Sequence, residues 1–239
     1  MRYLSVLAFL LVSHSLIAQE KLPALAQHSV VLFQGDSITD GGRARSGQDF
    51  NHTMGQDYAY ILSARIGAEH PEWAVTFVNR GISGNRVLDL AARWQADTLD
   101  LKPTLLSILV GVNDALATGE RAESVEQFTD TYDQLLADTI KELPGVQIVL
   151  GEPFLLPVGK HKEPYAVEFA ELRKRQAVVA QLAEKYHLPL IHYQEIFDRA
   201  CRKAPAEYWL WDGVHPSYAG HALMAEEWAR IVRKSLPKP

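Results

Sequence analysis

With 239 residues, 47% of them hydrophobic and 22% charged, the chain has the composition of a globular protein able to bury one sizeable core. A net charge of −5 at pH 7 leaves no general basic surface, which excludes nucleic acid and stable association with a membrane as expected partners. Cys201 is the single cysteine, so no internal disulfide is possible and the core alone must hold the fold.

The first segment stands apart. Arg2 precedes an apolar run from Leu4 to Val12, and Ser13-His14-Ser15 breaks it. A positive start, a short apolar middle and a small residue, Ala18, at the candidate cleavage point predict a secretory signal peptide over residues 1–18. The run is too short to span a bilayer comfortably. The expectation is an exported protein, periplasmic or extracellular, whose remaining residues 19–239 form one domain.

From there short β-branched runs alternate with helical patterns. Residues 30–33 predict a first strand and 58–66 a helix; 75–78 predict a second strand and 87–99 a second helix. A third strand over 105–110 leads to a helix over 124–143, where Val125, Phe128, Tyr132, Leu135, Leu136 and Ile140 recur at helical spacing. A strand over 146–150, a helix over 168–186, a strand over 188–191 and a last helix over 218–235 complete the series. This alternation implies an α/β fold with a doubly wound parallel sheet and function at the carboxyl ends of its strands.

Chemistry-bearing residues fall at those ends. Gly35-Asp36-Ser37 follows the first strand, Gly81 to Gly84 the second, and Gly111-Val112-Asn113-Asp114 the third. Ser37 is the candidate nucleophile, placed near a helix N-terminus whose amides can donate to an oxyanion. On its own it reads as a turn former or helix cap, and the G-x-S-x-G elbow of ordinary α/β-hydrolases is absent. His215 is the candidate base and Asp212 its orienting carboxylate. Three residues apart on a short turn, the carboxylate reaches Nδ1 and leaves Nε2 free for Ser37. Asp212 alone would simply cap that turn. Asp-x-x-His offers two metal ligands and no obvious third, so no metal is expected; His221, inside the last helix, reads as packing or surface.

Gly84 and Asn113 are oxyanion candidates: a glycine N–H can approach a substrate oxygen closely, and a side-chain amide is a neutral donor. Their ordinary roles are turn glycine and loop cap. Asn79, Arg80 and Arg86 flank the second block as possible braces. Asp36, Arg86 and Trp211 are the expected substrate contacts. A long polar loop from Asp40 to Asp57, carrying Arg43 and Arg45, and the aromatics Tyr208, Trp209 and Trp211 before the Asp-His turn suit a sugar, although Trp209 and Trp211 read equally well as core.

The blocks Gln34 to Asp40, Asn79 to Asn85, Gly111 to Asp114 and Asp212 to Pro216 together resemble the SGNH hydrolases, also called the GDSL esterase/lipase family, in order and over most of the chain. Ile38 stands where the family name has Leu. The resemblance implies a three-layer α/β/α, flavodoxin-like parallel sheet of about five strands and a serine esterase working through an acyl-enzyme. It places catalysis on Ser37, Asp212 and His215 and the oxyanion hole on Ser37, Gly84 and Asn113, with no cofactor. Secreted relatives suggest removal of acetyl groups from carbohydrate, so the partner would be a small-molecule or glycan ester. A lysophospholipase, thioesterase or short-chain lipid esterase is the alternative within the chemistry. A glycan-binding module that has lost catalysis is the alternative outside it.

Overall fold

Strand β1 (Val30–Gly35) runs through the centre of the molecule, with every residue after Val30 buried. The computed structural model describes residues 25–47 and 49–235, so the predicted signal segment lies outside the described residues. Around β1 a sheet of five strands forms in the order β2-β1-β3-β4-β5, where β2 is Thr76–Asn79, β3 Leu105–Leu109, β4 Gln147–Gly151 and β5 Leu190–Ile191. Every pairing is parallel. The register sets Gly35 opposite Leu109 and Leu109 opposite Gly151, so three central strands end level. The loops that follow them therefore open on one edge, where open parallel sheets form their binding crevices.

Alternation along the strands sorts the core into two faces. Val31, Phe33, Leu105, Leu109 and Val149 point to one side; Leu32, Leu106, Ile108, Ile148 and Leu150 point to the other. The first side is covered by α3 (Tyr58–Glu69), α8 (Tyr193–Ala200) and α10 (Tyr218–Ser235), and the second by α4 (Val87–Ala91), α6 (Val125–Glu142) and α7 (Tyr165–Lys185). The result is a three-layer α/β/α arrangement. Trp228 of α10 is fully buried on the first face, and its Nε1–H donates to Ser107 Oγ of β3 at 3.0 Å.

Local signals explain most boundaries. Ser124 caps α6 in a reciprocal box with Gln127: the Gln127 N–H donates to Ser124 Oγ and the Ser124 N–H to Gln127 Oε1, both at 3.0 Å. The helix expected over 87–99 is not continuous. It stops at Ala91 and resumes as a π-turn over Gln95–Leu99, where the buried Gln34 amide reaches across to donate to Asp97 O and Thr98 Oγ1, each at 2.8 Å. A helical turn, α1 (Ser37–Asp40), begins at Ser37 as expected, and four short helices were not foreseen: α2 (Phe50–Met54), α5 (Val112–Leu116), α8 and α9 (Ala206–Trp209). Among the described residues, no helix is long and apolar enough to cross a membrane.

Candidate active site

The chain leaves β1 at Gly35 and turns at once into the single helical turn α1. Gly35 must be glycine, because a Cβ there would lie 2.4 Å from Leu109 O. Asp36 caps the turn, its Oδ1 accepting the Ile38 N–H at 3.0 Å, and Gly41 ends it at φ 54°. Ser37 is thereby held at the first helical position, facing the chain's far end. Its Oγ lies 2.7 Å from His215 Nε2, a contact across 178 residues of sequence.

The Asp212 to His215 turn is fixed from both sides. His215 Nδ1 lies 2.7 Å from Asp212 Oδ2, while Asp212 Oδ1 accepts the N–H groups of His215 at 2.8 Å and Val214 at 3.0 Å. Burial pushes the Asp212 pKa up, but the hydrogen bonds from His215 and Val214 outweigh it and hold the carboxyl below its ordinary value. An ionised carboxylate at Nδ1 keeps the Nδ1–H tautomer and leaves Nε2 as the acceptor for the Ser37 hydroxyl. Gly213 adopts φ +99°, and a Cβ on it would meet Leu156 O at 2.6 Å, so the turn packs against the loop after β4. Behind it the buried His161 pairs with Glu168 at 2.7 Å.

The loop after β2 is tied onto α1. Asp40, at the end of α1 and almost fully buried, accepts from the Ser83 N–H at 2.8 Å and the Ser83 hydroxyl at 2.6 Å through Oδ2. The Ile82 N–H donates to Gly35 O at 3.1 Å. Asn79 secures the loop's start: its Oδ1 accepts the Gly81 N–H at 2.8 Å, and its Nδ2 donates to Thr39 O and Met54 O. Gly84 follows Ser83 directly. It adopts φ +80° in open space, so glycine is needed there for the backbone torsion and not to clear a clash. Asn113, in the first turn of α5, donates one amide hydrogen to Asn85 O at 3.0 Å. Its neighbour Asp114 accepts the Val87 N–H at 2.9 Å. The three loops are thus braced against one another by side chains from α1 and α5. Asp40 and Asp114 are the braces that sequence reasoning missed; both sit inside the quoted blocks, at the last position of each.

Two expected substrate contacts are corrected. Asp36 is fully buried, and burial pushes its carboxyl up to about 7; it caps α1 and cannot touch a ligand. Arg86 is committed to structure: its guanidinium pairs with Asp89 at 3.0 Å and Glu123 at 2.6 Å and donates to Arg121 O at 2.6 Å. Trp211, by contrast, is 63% exposed and stacks on the His215 ring, with centroids 5.7 Å apart and planes at 21°. Trp209 is half-buried against the core and donates to Ala204 O at 3.3 Å. His221 is buried and accepts the Tyr58 N–H on Nδ1 at 3.2 Å, capping α3 from another helix. Among the described residues, no three His, Cys, Asp or Glu side chains cluster as a metal site would.

Comparison with known proteins extends this geometry. The model of the GDSL-like lipase/acylhydrolase family matches residues 33–223. The chain is 34% identical over 207 residues to the acetylxylan esterase of Geobacillus stearothermophilus, covering 84% of this chain and 93% of that one. Among solved structures, a protein described as a GDSL-like lipase from Parabacteroides merdae superposes with a TM-score of 0.82 at 36% identity, over 87% of this chain and 97% of that one. Axe2, an acetylxylan esterase from Geobacillus stearothermophilus, superposes with a TM-score of 0.78 at 32% identity, over 87% of this chain and 96% of that one.

Proposed function

Because the chain belongs to the GDSL-like lipase/acylhydrolase family and is a carboxylic ester hydrolase, we propose that it removes acetyl groups from carbohydrate through an acyl-enzyme on Ser37. The observation that carries the mechanism is the unbroken relay from Ser37 Oγ to His215 Nε2 and from His215 Nδ1 to Asp212, each step 2.7 Å. As Ser37 Oγ bonds to the ester carbon, Nε2 takes its proton, and Asp212 holds the ring and stabilises the imidazolium that forms.

The carbonyl oxygen, now negative, accepts from the backbone N–H groups of Ser37 and Gly84 and from the second amide hydrogen of Asn113, the first being committed to Asn85 O. Each such donor contributes about 3 kcal/mol to the transition state, and the Asp40–Ser83 and Asp114–Val87 bonds keep their loops in place before substrate arrives. His215 then returns its proton to the departing sugar oxygen. Water, deprotonated by the same Nε2, attacks the acetyl carbon, and acetate leaves with Ser37 restored.

The acetyl-carbohydrate assignment is supported by the similarity to the acetylxylan esterase of Geobacillus stearothermophilus and by Trp211, whose exposed ring beside His215 offers a sugar an apolar face. A protein of this kind would meet its substrate outside the cytoplasm, in keeping with the expected export signal over residues 1–18. The test is acetate release from an acetylated xylo-oligosaccharide, run beside para-nitrophenyl esters from acetate to decanoate. Release of acetate with a sharp preference for the shortest ester is expected. Preference for long acyl chains with no release from the oligosaccharide would replace the carbohydrate reading with a lipid one.

A further inference from the structure

A cavity of about 640 Å³ opens where β2 gives way to the loop that carries Gly84, and Arg43, Arg45 and Arg80 line it together with Phe50, Thr53 and Met54. Its charge is unbalanced. Arg43, Arg45, Arg80 and Arg93 act on one another there, against two carboxylates, Asp40 and Asp97. Asp40 pairs with Arg45 at 2.5 Å, and Asp97 with Arg93 at 3.0 Å and Arg80 at 3.7 Å. Arg43 has no carboxylate within 4.0 Å among the described residues; its Nε–H donates only to the neutral carbonyl of Gly81, at 2.9 Å. Burial pushes the nearby Asp57 carboxyl up to about 8, which weakens its counter-charge at neutral pH.

Two further features concern the arginines of this cavity. Arg80 Nε is buried with no hydrogen-bond partner, since Asp97 Oδ1 at 3.7 Å is too distant to accept from it. Arg43 is only 8% exposed, and burial, with Arg45 next, presses its guanidinium down to about 10. An oxyanion accepting from Arg43 and Arg80 offsets the repulsion among these like charges. Phe50, which also lines the cavity, is 86% exposed, a large apolar ring left in water beside cationic side chains. A bare phosphate would leave that ring unused; an anion carried on a sugar ring uses both kinds of lining.

We propose that this cavity is an accessory subsite for an acidic sugar, whose carboxylate is held by Arg43 and Arg80 while its ring lies on Phe50. The sugar part of the assignment rests on the carbohydrate reading of the active site; the anion part stands without it. The position suits one extended substrate. Arg43 and Arg45 both grip Gly81 O, three residues before Gly84, and Asp40 links Arg45 to Ser83 and lies one helical turn from Ser37. The proposal places in this cavity an acidic unit of a chain whose ester is at Ser37.

The test is calorimetric titration of the Ser37→Ala protein with glucuronate, glucose and inorganic phosphate, repeated in Arg80→Gln, Arg43→Gln and Phe50→Ala backgrounds. Expected is saturable glucuronate binding that weakens as salt is added, with none by glucose. Either arginine substitution should weaken it by about tenfold or more, the loss of one charge-assisted hydrogen bond. Arg80 is one-third exposed and Phe50 mostly so, which keeps the test usable if Arg43→Gln fails to fold. No saturable glucuronate binding, or binding unchanged by Arg80→Gln and Phe50→Ala, overturns the subsite. Phosphate binding as tightly as glucuronate overturns the sugar. Because Ser37→Ala does no chemistry, glucuronate binding to it beside a wild type that releases no acetate would uphold the subsite and sink the esterase substrate.

Discussion

Replacing His221 with Asn should remove about 3 kcal/mol of acid destabilisation while leaving stability at neutral pH nearly unchanged. His221 is buried in α10, with its Nδ1 accepting the Tyr58 N–H that begins α3. A proton on Nδ1 would set two N–H groups against each other. Burial, with the nearby His215 next, lowers the His221 pKa from 6.5 to about 4. The unfolded chain therefore takes up this proton below pH 6.5, and the folded one only below about 4. The His221 contribution is complete above pH 6.5, is lost as pH falls towards 4, and is flat below that. At 1.36 kcal/mol per pH unit the loss is about 3 kcal/mol. The raw pH profile of the wild type is not the assay, because Asp36, Asp57 and Asp114 oppose it. Burial raises their folded pKa values to about 7, 8 and 7, so acidification through that range favours the folded state. In His221→Asn an amide oxygen near the Nδ1 position accepts from Tyr58 but does not titrate. Urea unfolding of both proteins at pH 7 and pH 4 isolates the difference. If the gap between them did not move by at least about 1.4 kcal/mol, the neutral capping role would be wrong.

Other substitutions probe the site and its supports. Asp212→Asn should lower kcat about a thousandfold or more with unchanged circular dichroism, since the amide no longer selects the Nδ1–H tautomer; steady-state kinetics on para-nitrophenyl acetate measures it. Gly84→Ala meets no neighbouring atom but must adopt φ +80°, so thermal unfolding should show a loss of about 1–2 kcal/mol and kcat should fall while KM changes little. Trp228→Phe loses the bond to Ser107 Oγ and leaves a void between α10 and β3, a cost of about 2–3 kcal/mol in urea unfolding.

The sheet was legible because buried parallel strands are short continuous apolar runs, and each of the five lies within two residues of its expected bounds. Helix α6 announced itself through Phe128, Tyr132, Leu135 and Leu136 at helical spacing, all of them buried. The short helices did not: α2, α5 and α9 span a turn or so, too few residues for a 3.6 period to repeat. In α8 the spacing Tyr193, Ile196, Phe197, Ala200 is helical but too short to decide, since a single i, i+3, i+4, i+7 set also fits a loop packed on the core. Spacing alone suggested the Asp212–His215 pair. Their union with Ser37, 178 residues away, could come only from strand order and register, or from the family resemblance that stood in for them. Exposure was the least readable property. Asp36 and Trp211 both lie beside catalytic candidates, yet one is sealed under α1 and the other stands open on His215.

The direct test of the Ser37 mechanism is the rate of para-nitrophenyl acetate hydrolysis by folded Ser37→Ala beside the wild type. A loss of about a thousandfold or more, with matching circular dichroism and thermal unfolding, is expected for removal of the attacking oxygen. Turnover by Ser37→Ala within tenfold of the wild type would contradict it and place the nucleophile elsewhere.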